Sequence, residues 1–600
     1  MSSLNKKSEW RYEDGMATAG VSFLLTSIAF QYVSWKLQIP FTNDIVWANW
    51  PLLPKALLGC TLFTFGIETK SWIEISTMLN FFGYKPWFYL HFYMPLALSL
   101  PISIYLGYLA ARPIDQYHAR GNILLSGSEA IRYAKQKIKN LDKKVQSTDL
   151  PTGMLIHTHI RLPVGTETKG IALIGAPSSG KTQIMKQMML DMLGQHPNAK
   201  VCLIDNKGDF TEFVDEDQSI IFTPWDIRCL AWDIGKDIRT ELDAGLFAHA
   251  LIPTVDGDNA VFSDASRVAL IGFIVCLQQK YGLEWGWRNL AHCLEWSREQ
   301  VIEAFKRHYP IGLKIFREDS KSSDSVDFSL TANLTFLRQF AQAWPESIGG
   351  LSLRNWIQDE SDEKPILLLQ ANKAFPTISD VYICAVLNIL SKLILSPTFS
   401  DSSTRRIHFI LDEIAQIPYV EQLKNLAALG RSKGACIWLG IQDFDLLVDE
   451  YGQHEVNSLI GMMQTKVILS MGSGTGADFA SKLIGEREIF TEDFDENGKR
   501  IPLTQSQRIV APSEISQLPQ PTLKHGIQGW MTITGWDAVL RLTWPITKFH
   551  KVRSGVELAE WIDQITVADV TDHVVQATVS SGKKRLIKKS KNSGMSHDEF

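Results

Sequence analysis

Residues 175–182 read GAPSSGKT, and this short segment constrains the fold of the chain more than any other. It matches the pattern G-x-x-x-x-G-K-[ST] of a phosphate-binding loop. The apolar run IALI before it predicts a β-strand over 171–174, and the run 183–193 after it predicts a helix. Such a loop binds phosphate through backbone N–H groups and the positive end of the helix dipole. The chain is therefore expected to contain an α/β nucleotide-binding domain.

Two residues of this loop have specific expected roles. Lys181 would reach the β- and γ-phosphates, and Thr182 would hold Mg²⁺ through its hydroxyl. A chance match to so short a pattern is the alternative, and the flanking strand and helix argue against it. The residues expected to bind nucleotide are Gly175, Ala176, Pro177, Ser178, Ser179, Gly180, Lys181 and Thr182.

An acidic pair follows a second apolar run. Residues 407–411 read IHFIL and lead directly into Asp412 and Glu413. A carboxylate at the end of a strand holds Mg²⁺ in P-loop NTPases, which assigns Asp412 to the metal site. The adjacent Glu413 suits a general base that orients the attacking water. The alternative is an exposed acidic pair that does no more than end a strand.

A third predicted strand, 435–441, is flanked by two further candidate residues. It ends at Gln442, whose polar side chain suits sensing of the γ-phosphate or its water. Before it, Arg431 lies in a turn bounded by Gly430 and Gly434. An arginine there is either a surface charge or a finger that stabilises transition-state charge at a neighbour's nucleotide. The choice depends on whether the protein is an oligomer.

The first part of the chain carries two long uncharged runs. Residues 15–35 and 87–111 contain no Asp, Glu, Lys or Arg. Each is about the 20 residues that a helix needs to cross a bilayer, so two transmembrane helices are predicted. Buried core helices are the alternative, and a cleaved signal peptide would leave the second run unexplained. The apolar segment 46–67 contains prolines and a lysine, and is interpreted as membrane-associated or packed, with a third span as a minor option.

Basic residues indicate the orientation of the two runs. They concentrate before the first run and after the second, which places both flanks in the cytoplasm and the loop from about 36 to 85 outside. The charged stretch 129–144 is either a solvated helix face or rests on anionic lipid head groups.

Overall composition excludes several classes of protein. The chain has 60 basic and 65 acidic residues, a net charge of −5, and is 45% hydrophobic. It is therefore neither a disordered chain, a collagen-like fibre nor a wholly basic nucleic-acid coat. Its seven cysteines are scattered and form no C-x-x-C pair, which argues against a disulfide scaffold and a structural zinc site.

In their order along the chain, these motifs resemble the type IV coupling proteins of bacterial conjugation and type IV secretion, especially the TraD-like branch. The stretch 201–210, VCLIDNKGDF, resembles the family's strand followed by D-P-K-G-[DE], with Asn206 in place of proline. The stretch 222–228, FTPWDIR, resembles N-P-F-D-x-R-S, with Thr223 in place of asparagine. The acidic pair, the Arg431 turn, the strand ending at Gln442 and the stretch 464–469 follow in family order.

The resemblance implies a RecA-like P-loop NTPase domain with an inserted all-α domain, and a two-helix membrane anchor. It also implies that the subunits assemble as a homohexamer with a central DNA channel. It implies ATP and Mg²⁺ as nucleotide and metal. It also implies a location in the bacterial inner membrane, with the motor and both termini cytoplasmic. Its implied partners are DNA, relaxase and relaxosome proteins, type IV secretion channel components and membrane lipid. In such an oligomer Arg431 would act as a finger in trans.

The resemblance and the sequence pattern together predict the domain boundaries. The segment 244–351 is largely helical by pattern, with helices expected over 265–279 and 290–305, and Arg267, Arg307 and Lys314 are hypothesised to line a DNA path. A hairpin turn is expected at 495–498. The predicted domains are a membrane anchor with a periplasmic loop over 1–112, a RecA-like domain over 113–243 and 352–555, an all-α domain over 244–351, and a partly disordered tail over 556–600.

The leading functional hypothesis is an inner-membrane ATPase that links a DNA–relaxase complex to a type IV secretion channel and drives DNA transfer. Its expected catalytic residues are Lys181, Glu413, Gln442 and Arg431. The alternatives are a coupling ATPase for protein substrates, an FtsK-type DNA translocase, and a receptor that binds ATP without hydrolysing it. No winged-helix pattern supports the translocase, and the water-activating Glu413 argues against the receptor.

Overall fold

The structure of the protein, a computed structural model, describes residues 12–36, 51–111, 117–142, 153–196, 198–252, 260–316, 330–346, 348–358, 364–494 and 500–562. The chain divides into two compact units. The first combines Met1–Arg120 with Glu488–Ser506, and the second combines Gly121–Arg487 with Gln507–Phe600.

The elements are numbered here in chain order. The helices are α1 Tyr12–Lys36, α2 Leu53–Thr64, α3 Lys70–Phe81, α4 Lys85–Ala111, α5 Gly127–Asp142, α6 Lys181–Gln195, α7 Ile234–Asp237, α8 Glu241–Leu251, α9 Ala260–Tyr281, α10 Trp287–Cys293, α11 Arg298–His308, α12 Phe336–Ala343, α13 Leu353–Gln358, α14 Pro376–Leu395, α15 Glu421–Leu429, α16 Phe444–Tyr451, α17 Gln453–Met462, α18 Thr475–Ile484 and α19 Pro512–Ser516. The strands are β1 Tyr117–Gly121, β2 Ile123–Ser126, β3 Leu155–His157, β4 Ile160–Arg161, β5 Ile171–Ile174, β6 Lys200–Asp205, β7 Ser219–Ile221, β8 Ile366–Gln370, β9 Ile407–Leu411, β10 Ala435–Ile441, β11 Thr465–Ile468, β12 Glu486–Phe494, β13 Arg500–Arg508, β14 Ile527–Ile533 and β15 Ala538–Trp544.

In the first unit, α1 and α4 pack against each other through small residues. A Cβ atom on Gly107 would lie 2.7 Å from the Cβ of Ala19, and one on Gly15 would lie 2.6 Å from the Cβ of Ala111. Gly15 and Ala19 are one helical turn apart, as are Gly107 and Ala111, so each helix presents two small residues at the contact. Small residues at this spacing let helix backbones approach closely in a membrane.

Four described helices are long and apolar enough to span a bilayer, and burial separates them into two pairs. Only 6% of the most apolar stretch of α1 and 28% of that of α4 are buried in the fold. The corresponding values are 67% for α9 and 72% for α14. The apolar surfaces of α9 and α14 are therefore covered by protein, whereas those of α1 and α4 are largely open.

The second unit is built on a mixed sheet whose described strands follow the order β2-β15-β14-β11-β5-β10-β9-β6-β8-β7. From β11 to β7 all neighbours are parallel, and the antiparallel strand β14 pairs with β11 at one side. Along β5, Ile171 and Leu173 pack into one hydrophobic core, and Ala172 and Ile174 pack into another. Both faces of this parallel region are thus buried, which is why its strands are uninterrupted apolar runs.

A helical region follows β7 and rejoins the sheet before β8. Its helices α8 to α13 surround a cluster of aromatic rings, in which Trp287 and Phe340 have centroids 4.6 Å apart and Phe340 stacks on Trp344. Trp344 also stacks on Phe222, directly after β7. The core of the helical region is therefore continuous with one face of the sheet.

The prediction of one helix over 290–305 is wrong. The structure has two helices there, α10 and α11, because Ser297 starts a new helix. Its backbone N–H donates to the Gln300 side chain at 2.7 Å, and its hydroxyl accepts from the Gln300 N–H at 3.4 Å. This reciprocal capping is a strong helix-start signal.

Two expectations concern the C-terminal part of the chain. The hairpin turn expected at 495–498 and the tail from 563 onward lie outside the described residues. The part of the chain between them is described, and there β14 and β15 extend the sheet beyond β11.

Candidate nucleotide site

The loop between β5 and α6 has the local geometry of a phosphate-binding loop. β5 ends at Ile174 and α6 begins at Lys181. Gly180 has a φ of 99°, a left-handed conformation that favours glycine, and a Cβ there would lie 2.6 Å from the side chain of Ile527. Ser178 also has a positive φ, 62°. The loop therefore needs glycine at 180 for both conformation and space.

The two side chains of the loop with expected roles, Lys181 and Thr182, are held at its end. The Lys181 side chain is buried and curls back over the loop, where its Nζ donates to the Gly175 carbonyl at 2.6 Å. The Thr182 hydroxyl donates to Oδ1 of Asp412 at 3.2 Å. A hydroxyl beside a carboxylate at the start of this helix is a donor set that suits Mg²⁺.

The acidic pair reaches the loop because β9 and β5 both flank β10 in parallel. Their carboxyl ends therefore lie at the same edge of the sheet. Asp412 and Glu413 are both buried, so the alternative of an exposed acidic pair is excluded. A Cβ on Gly440, in the middle strand, would lie 1.9 Å from the Asp412 carbonyl oxygen. Glycine at 440 thus lets β10 pass directly beside the acidic pair, a requirement that the sequence pattern did not reveal.

Glu413 is fixed by neighbours on two other strands. Its Oε1 accepts a hydrogen bond from the Gln442 backbone N–H at 3.3 Å. Its carbonyl accepts from Nδ2 of Asn206 at 3.2 Å. Within the described residues, Glu413 Oε2 and the Ser179 hydroxyl are buried without a hydrogen-bond partner. Buried polar atoms usually form hydrogen bonds, so a polar ligand at this place would supply the partners that these two atoms lack among the described residues.

Burial and mutual charge shift the acid–base behaviour of the site. Burial lowers the pKa of Lys181 to about 8, and the negative charges of Glu413 and Asp412 oppose that shift. Burial raises the pKa of Asp412 to about 6, and the nearby Asp205 adds to this. Burial also raises the pKa of Glu413 to about 7, which the charge of Lys181 opposes. A carboxylate with a raised pKa is better matched to accepting a proton from water near neutral pH.

Asp205 is a site residue that sequence reasoning missed. It ends β6 and is fully buried. Its two oxygens accept the backbone N–H groups of Lys207, Gly208, Phe210 and Thr211. It therefore winds the 206–211 loop around itself and places Asn206 against Glu413. The available signal was its position at the end of a predicted strand, the same position that singled out Asp412.

The structure does not bring Arg431 to this site. Arg431 is exposed and precedes β10, whereas Gln442 follows β10 at the nucleotide edge. The seven residues of β10 put about 20 Å between the two ends of the strand. Arg431 therefore lies too far away to touch a nucleotide on its own subunit.

The hypothesis of a DNA path is wrong for Arg267. This side chain is buried, pairs with Asp264 at 3.0 Å and contacts Nδ1 of His249 at 3.4 Å. Arg307 is exposed and forms a surface pair with Glu303. Its part in the hypothesis stays a prediction, as does that of Lys314.

With this geometry in hand, comparison with known proteins identifies the family. The sequence profile described as the type IV secretion-system coupling protein DNA-binding domain matches residues 154–532, well over half of the chain. The chain belongs to this family of coupling proteins. The resemblance drawn from the motifs is thereby confirmed.

Individual relatives agree with this membership. The coupling protein TraD of Escherichia coli (strain K12) is 22% identical over 418 residues, which cover 67% of this chain and 56% of that protein. The chain thus spans about half the length of this curated relative. Three solved structures are each 19% identical to it and match 75% of it. The first is the unbound bacterial conjugative coupling protein TrwBΔN70, with a TM-score of 0.62 and 97% of its chain covered. The second is TrwB with ADP and Mg²⁺, with a TM-score of 0.59 and 99% of its chain covered. The third is TrwB with a non-hydrolysable ATP analogue, with a TM-score of 0.60 and 98% of its chain covered.

The structural likeness concerns the fold. The expected RecA-like P-loop fold with an all-α region is confirmed for this coupling protein by its match to TrwB. The predicted boundaries of the domains remain predictions.

Proposed function

We propose that this coupling protein is an ATP-hydrolysing motor, anchored in the bacterial inner membrane, that passes DNA with its attached relaxase to a type IV secretion channel. The observation that carries this proposal is the meeting of Lys181, Thr182, Asp412 and Glu413 at one edge of the sheet. Family membership and the TrwB complexes with ADP, Mg²⁺ and an ATP analogue support ATP and Mg²⁺ as ligands.

Each site residue has a role in this proposal. The loop backbone and Lys181 bind the phosphates, and Thr182 and Asp412 hold Mg²⁺, which neutralises charge on the phosphate oxygens when it is bound. Glu413 accepts a proton from the attacking water. Gln442 lies beside Glu413, where its side chain would orient the same water or the γ-phosphate. Among the residues that the structure describes, Glu413 Oε2 and the Ser179 hydroxyl are buried without a hydrogen-bond partner, which fits a polar ligand at this place.

Arg431 acts in trans in this proposal. It is exposed at the edge of the sheet opposite the loop, so only a neighbouring subunit could offer it a nucleotide. A homohexamer whose sites lie between subunits would bring the arginine of one subunit to the phosphates of the next. Hydrolysis would then change the contact between neighbours and move DNA through the central channel.

The membrane anchor in this proposal consists of α1 and α4. Both are long and apolar, their apolar surfaces are mostly open, and they pack through small residues. The basic residues outside both runs favour an orientation with the motor and the termini in the cytoplasm and α2 and α3 on the periplasmic side.

The test is ATP hydrolysis by the purified full-length protein in detergent, with and without single- and double-stranded DNA, alongside its oligomer mass. We expect turnover that DNA stimulates and that Lys181→Ala abolishes. Lys482→Ala, which removes an exposed lysine from α18, is the matched control and should keep the parent rate.

Two results would contradict the proposal. Turnover that survives Lys181→Ala would show that the site assignment is wrong. Turnover that no DNA stimulates, while a protein substrate does, would favour the coupling ATPase for proteins over the DNA motor.

A further inference from the structure

Between the two proposed spans lies a helical hairpin, formed by α2 and α3. Each helix has 12 residues, about 18 Å at the rise of an α-helix. Neither is long enough to cross the roughly 30 Å of hydrocarbon in a bilayer. The two helices contact each other closely, since a Cβ on Gly59 of α2 would lie 2.9 Å from the Cβ of Trp72 of α3.

The hairpin lies along the first turns of α4, and its contacts show which way it points. α4 begins at Lys85. The ring of Trp72 packs on Phe88, about one turn into α4, with centroids 5.7 Å apart. The hydroxyl of Thr64, the last residue of α2, lies 3.0 Å from the hydroxyl of Tyr93. Tyr93 is eight residues into α4, or about 12 Å along its axis. The end of α2 and the turn after it are therefore level with Tyr93, below the start of the span.

The turn that joins α2 to α3 carries apolar side chains with large exposed fractions. Phe65 is 79% exposed, Ile67 is 53% exposed and Phe63 is 39% exposed. The sequence has no charged residue from 56 to 67, and the nearest charges are Lys55 and Glu68. An uncharged turn with open aromatic and aliphatic side chains is unfavourable in water, because exposed apolar surface gains free energy when it is removed from water.

We propose that the turn 63–67 dips into the outer leaflet of the membrane, so that α2 and α3 form an interfacial hairpin that contacts the acyl chains just below the head groups. This inference rests on the proposed membrane anchor. Leu90 and Met94, in the first three turns of α4, are also apolar side chains with large exposed fractions.

The residues around the turn fit a shallow position of the turn in the membrane. Tyr89 and Tyr93 lie one helical turn apart on α4, with ring centroids 5.8 Å apart, and paired tyrosines are typical of the interfacial aromatic zone of a membrane protein. Glu68 and Lys70 follow the turn at once, and charged side chains cannot go deep into hydrocarbon at low cost. An interfacial segment typically lies about 5–10 Å into the boundary of head groups and acyl chains, and this is the depth proposed for the turn.

The experiment uses the full chain in liposomes of phosphatidylcholine and phosphatidylglycerol. A cysteine replaces Phe65 and is labelled with an environment-sensitive fluorophore, and Ile67→Cys serves as a second site in the turn. The liposomes contain lipid brominated either near the acyl carbonyl or near the methyl end. Matched sites are Asn80→Cys, exposed at the other end of α3, and Leu98→Cys, exposed in the middle of α4. The parent protein, in which six cysteines are buried and Cys229 is half-buried, measures background labelling.

We expect the labels at 65 and 67 to lose most of their emission with lipid brominated near the carbonyl and less with lipid brominated near the methyl end. The label at 98 should show the reverse order, and the label at 80 should lose little emission with either lipid. If 65 and 67 behave like 80 while 98 is quenched, the interfacial hairpin is wrong and the membrane anchor stands. If 98 is not quenched by either lipid, the membrane anchor is wrong and the hairpin proposal falls with it.

Discussion

The Thr182 hydroxyl and the Asp412 carboxylate lie 3.2 Å apart although 230 residues separate them in the chain. The contact joins the first turn of α6 to the end of β9, and β10 lies between the two strands that lead there. Because Thr182 lies in the first turn of α6, directly after the loop, this pair holds the acidic edge of the candidate site against the loop.

Glu413→Gln should leave nucleotide binding near the parent level and slow hydrolysis by about 10²–10⁴-fold, the usual contribution of a positioned general base. Glutamine keeps the size of the side chain and its hydrogen bond from the Gln442 N–H, but it cannot accept the proton of the attacking water. Nucleotide binding by fluorescence titration and turnover by phosphate release measure the two effects. Glu303→Gln, on the exposed face of α11, is the matched control and should change neither. Equal loss of binding and turnover would argue for a structural role of Glu413.

Arg431→Ala should abolish turnover without weakening nucleotide binding. Mixing Arg431→Ala subunits with Lys181→Ala subunits should restore part of the turnover. In a mixture with Lys181→Ala subunits, some interfaces combine an intact loop from one subunit with an intact Arg431 from the other. We expect these interfaces to restore part of the parent rate. The readout is phosphate release from co-assembled subunits at several mixing ratios. Arg338→Ala, which removes an exposed arginine from α12, serves as the control. Absence of rescue in mixed oligomers would exclude a finger in trans.

Arg406→Met should destabilise the second unit strongly. Arg406 and Glu167 form a buried ion pair at 2.7 Å, which joins the start of β9 to the segment before β5. Removing one partner leaves a buried charge unpaired, at a typical cost of about 3–5 kcal/mol. The free energy of unfolding is measured by urea titration of the full chain in detergent. The exposed pair between Arg307 and Glu303 provides the control, since Arg307→Ala should cost no more than about 0.5 kcal/mol. A loss of similar size in both variants would contradict the prediction.

His408→Leu should reduce the loss of stability in acid. His408 is fully buried in β9, and burial lowers its pKa to about 3 from an ordinary value of 6.5. The folded state therefore keeps His408 neutral, while the unfolded chain takes up a proton below pH 6.5. The free energy of unfolding therefore has its full value, as far as His408 is concerned, above pH 6.5. It decreases as the pH falls towards 3, and His408 lowers it by roughly 2 kcal/mol at pH 5.

The measurement is the free energy of unfolding of parent and variant at pH 7.5 and pH 5. The difference between the two pH values should be smaller in His408→Leu. His292→Leu, which removes an exposed histidine from α10, should keep the pH dependence of the parent. An unchanged pH dependence in His408→Leu would show that this histidine does not resist protonation in the folded protein.

Gly107→Val should separate α1 from α4, whereas Gly20→Val should not. A side chain on Gly107 meets the Cβ of Ala19, while a Cβ on Gly20 meets nothing within 4 Å among the described residues. The hydroxyls of Ser27 in α1 and Ser99 in α4 lie 2.7 Å apart. The double substitution Ser27→Cys and Ser99→Cys therefore provides a disulfide reporter of helix contact. We expect mild oxidation to form this disulfide in the parent and with Gly20→Val, and much less with Gly107→Val. Equal disulfide formation in both valine variants would contradict the packing of α1 and α4.

Local sequence patterns predicted much of the nucleotide domain. The strand over 171–174 was predicted at its observed limits, and the predicted strand before Asp412 is β9. These segments are readable because a buried parallel strand is a short apolar run, and the loop between strand and helix needs glycine at fixed places. The break between α10 and α11 was missed because the apolar spacing continues across Ser297, although the cap itself is local.

The sequence by itself determined the phosphate-binding loop, the strands around it and the family, because each depends on residues close together in the chain or on their order. Only the tertiary structure decided which distant groups meet. It brought Asp412 to Thr182, wound the 206–211 loop around Asp205 and left Arg431 at the opposite edge of the sheet. It also separated α9 and α14, whose apolar surfaces are covered, from α1 and α4, whose surfaces are open. Hydropathy measures how apolar a helix is, and only packing determines whether protein or another medium covers it.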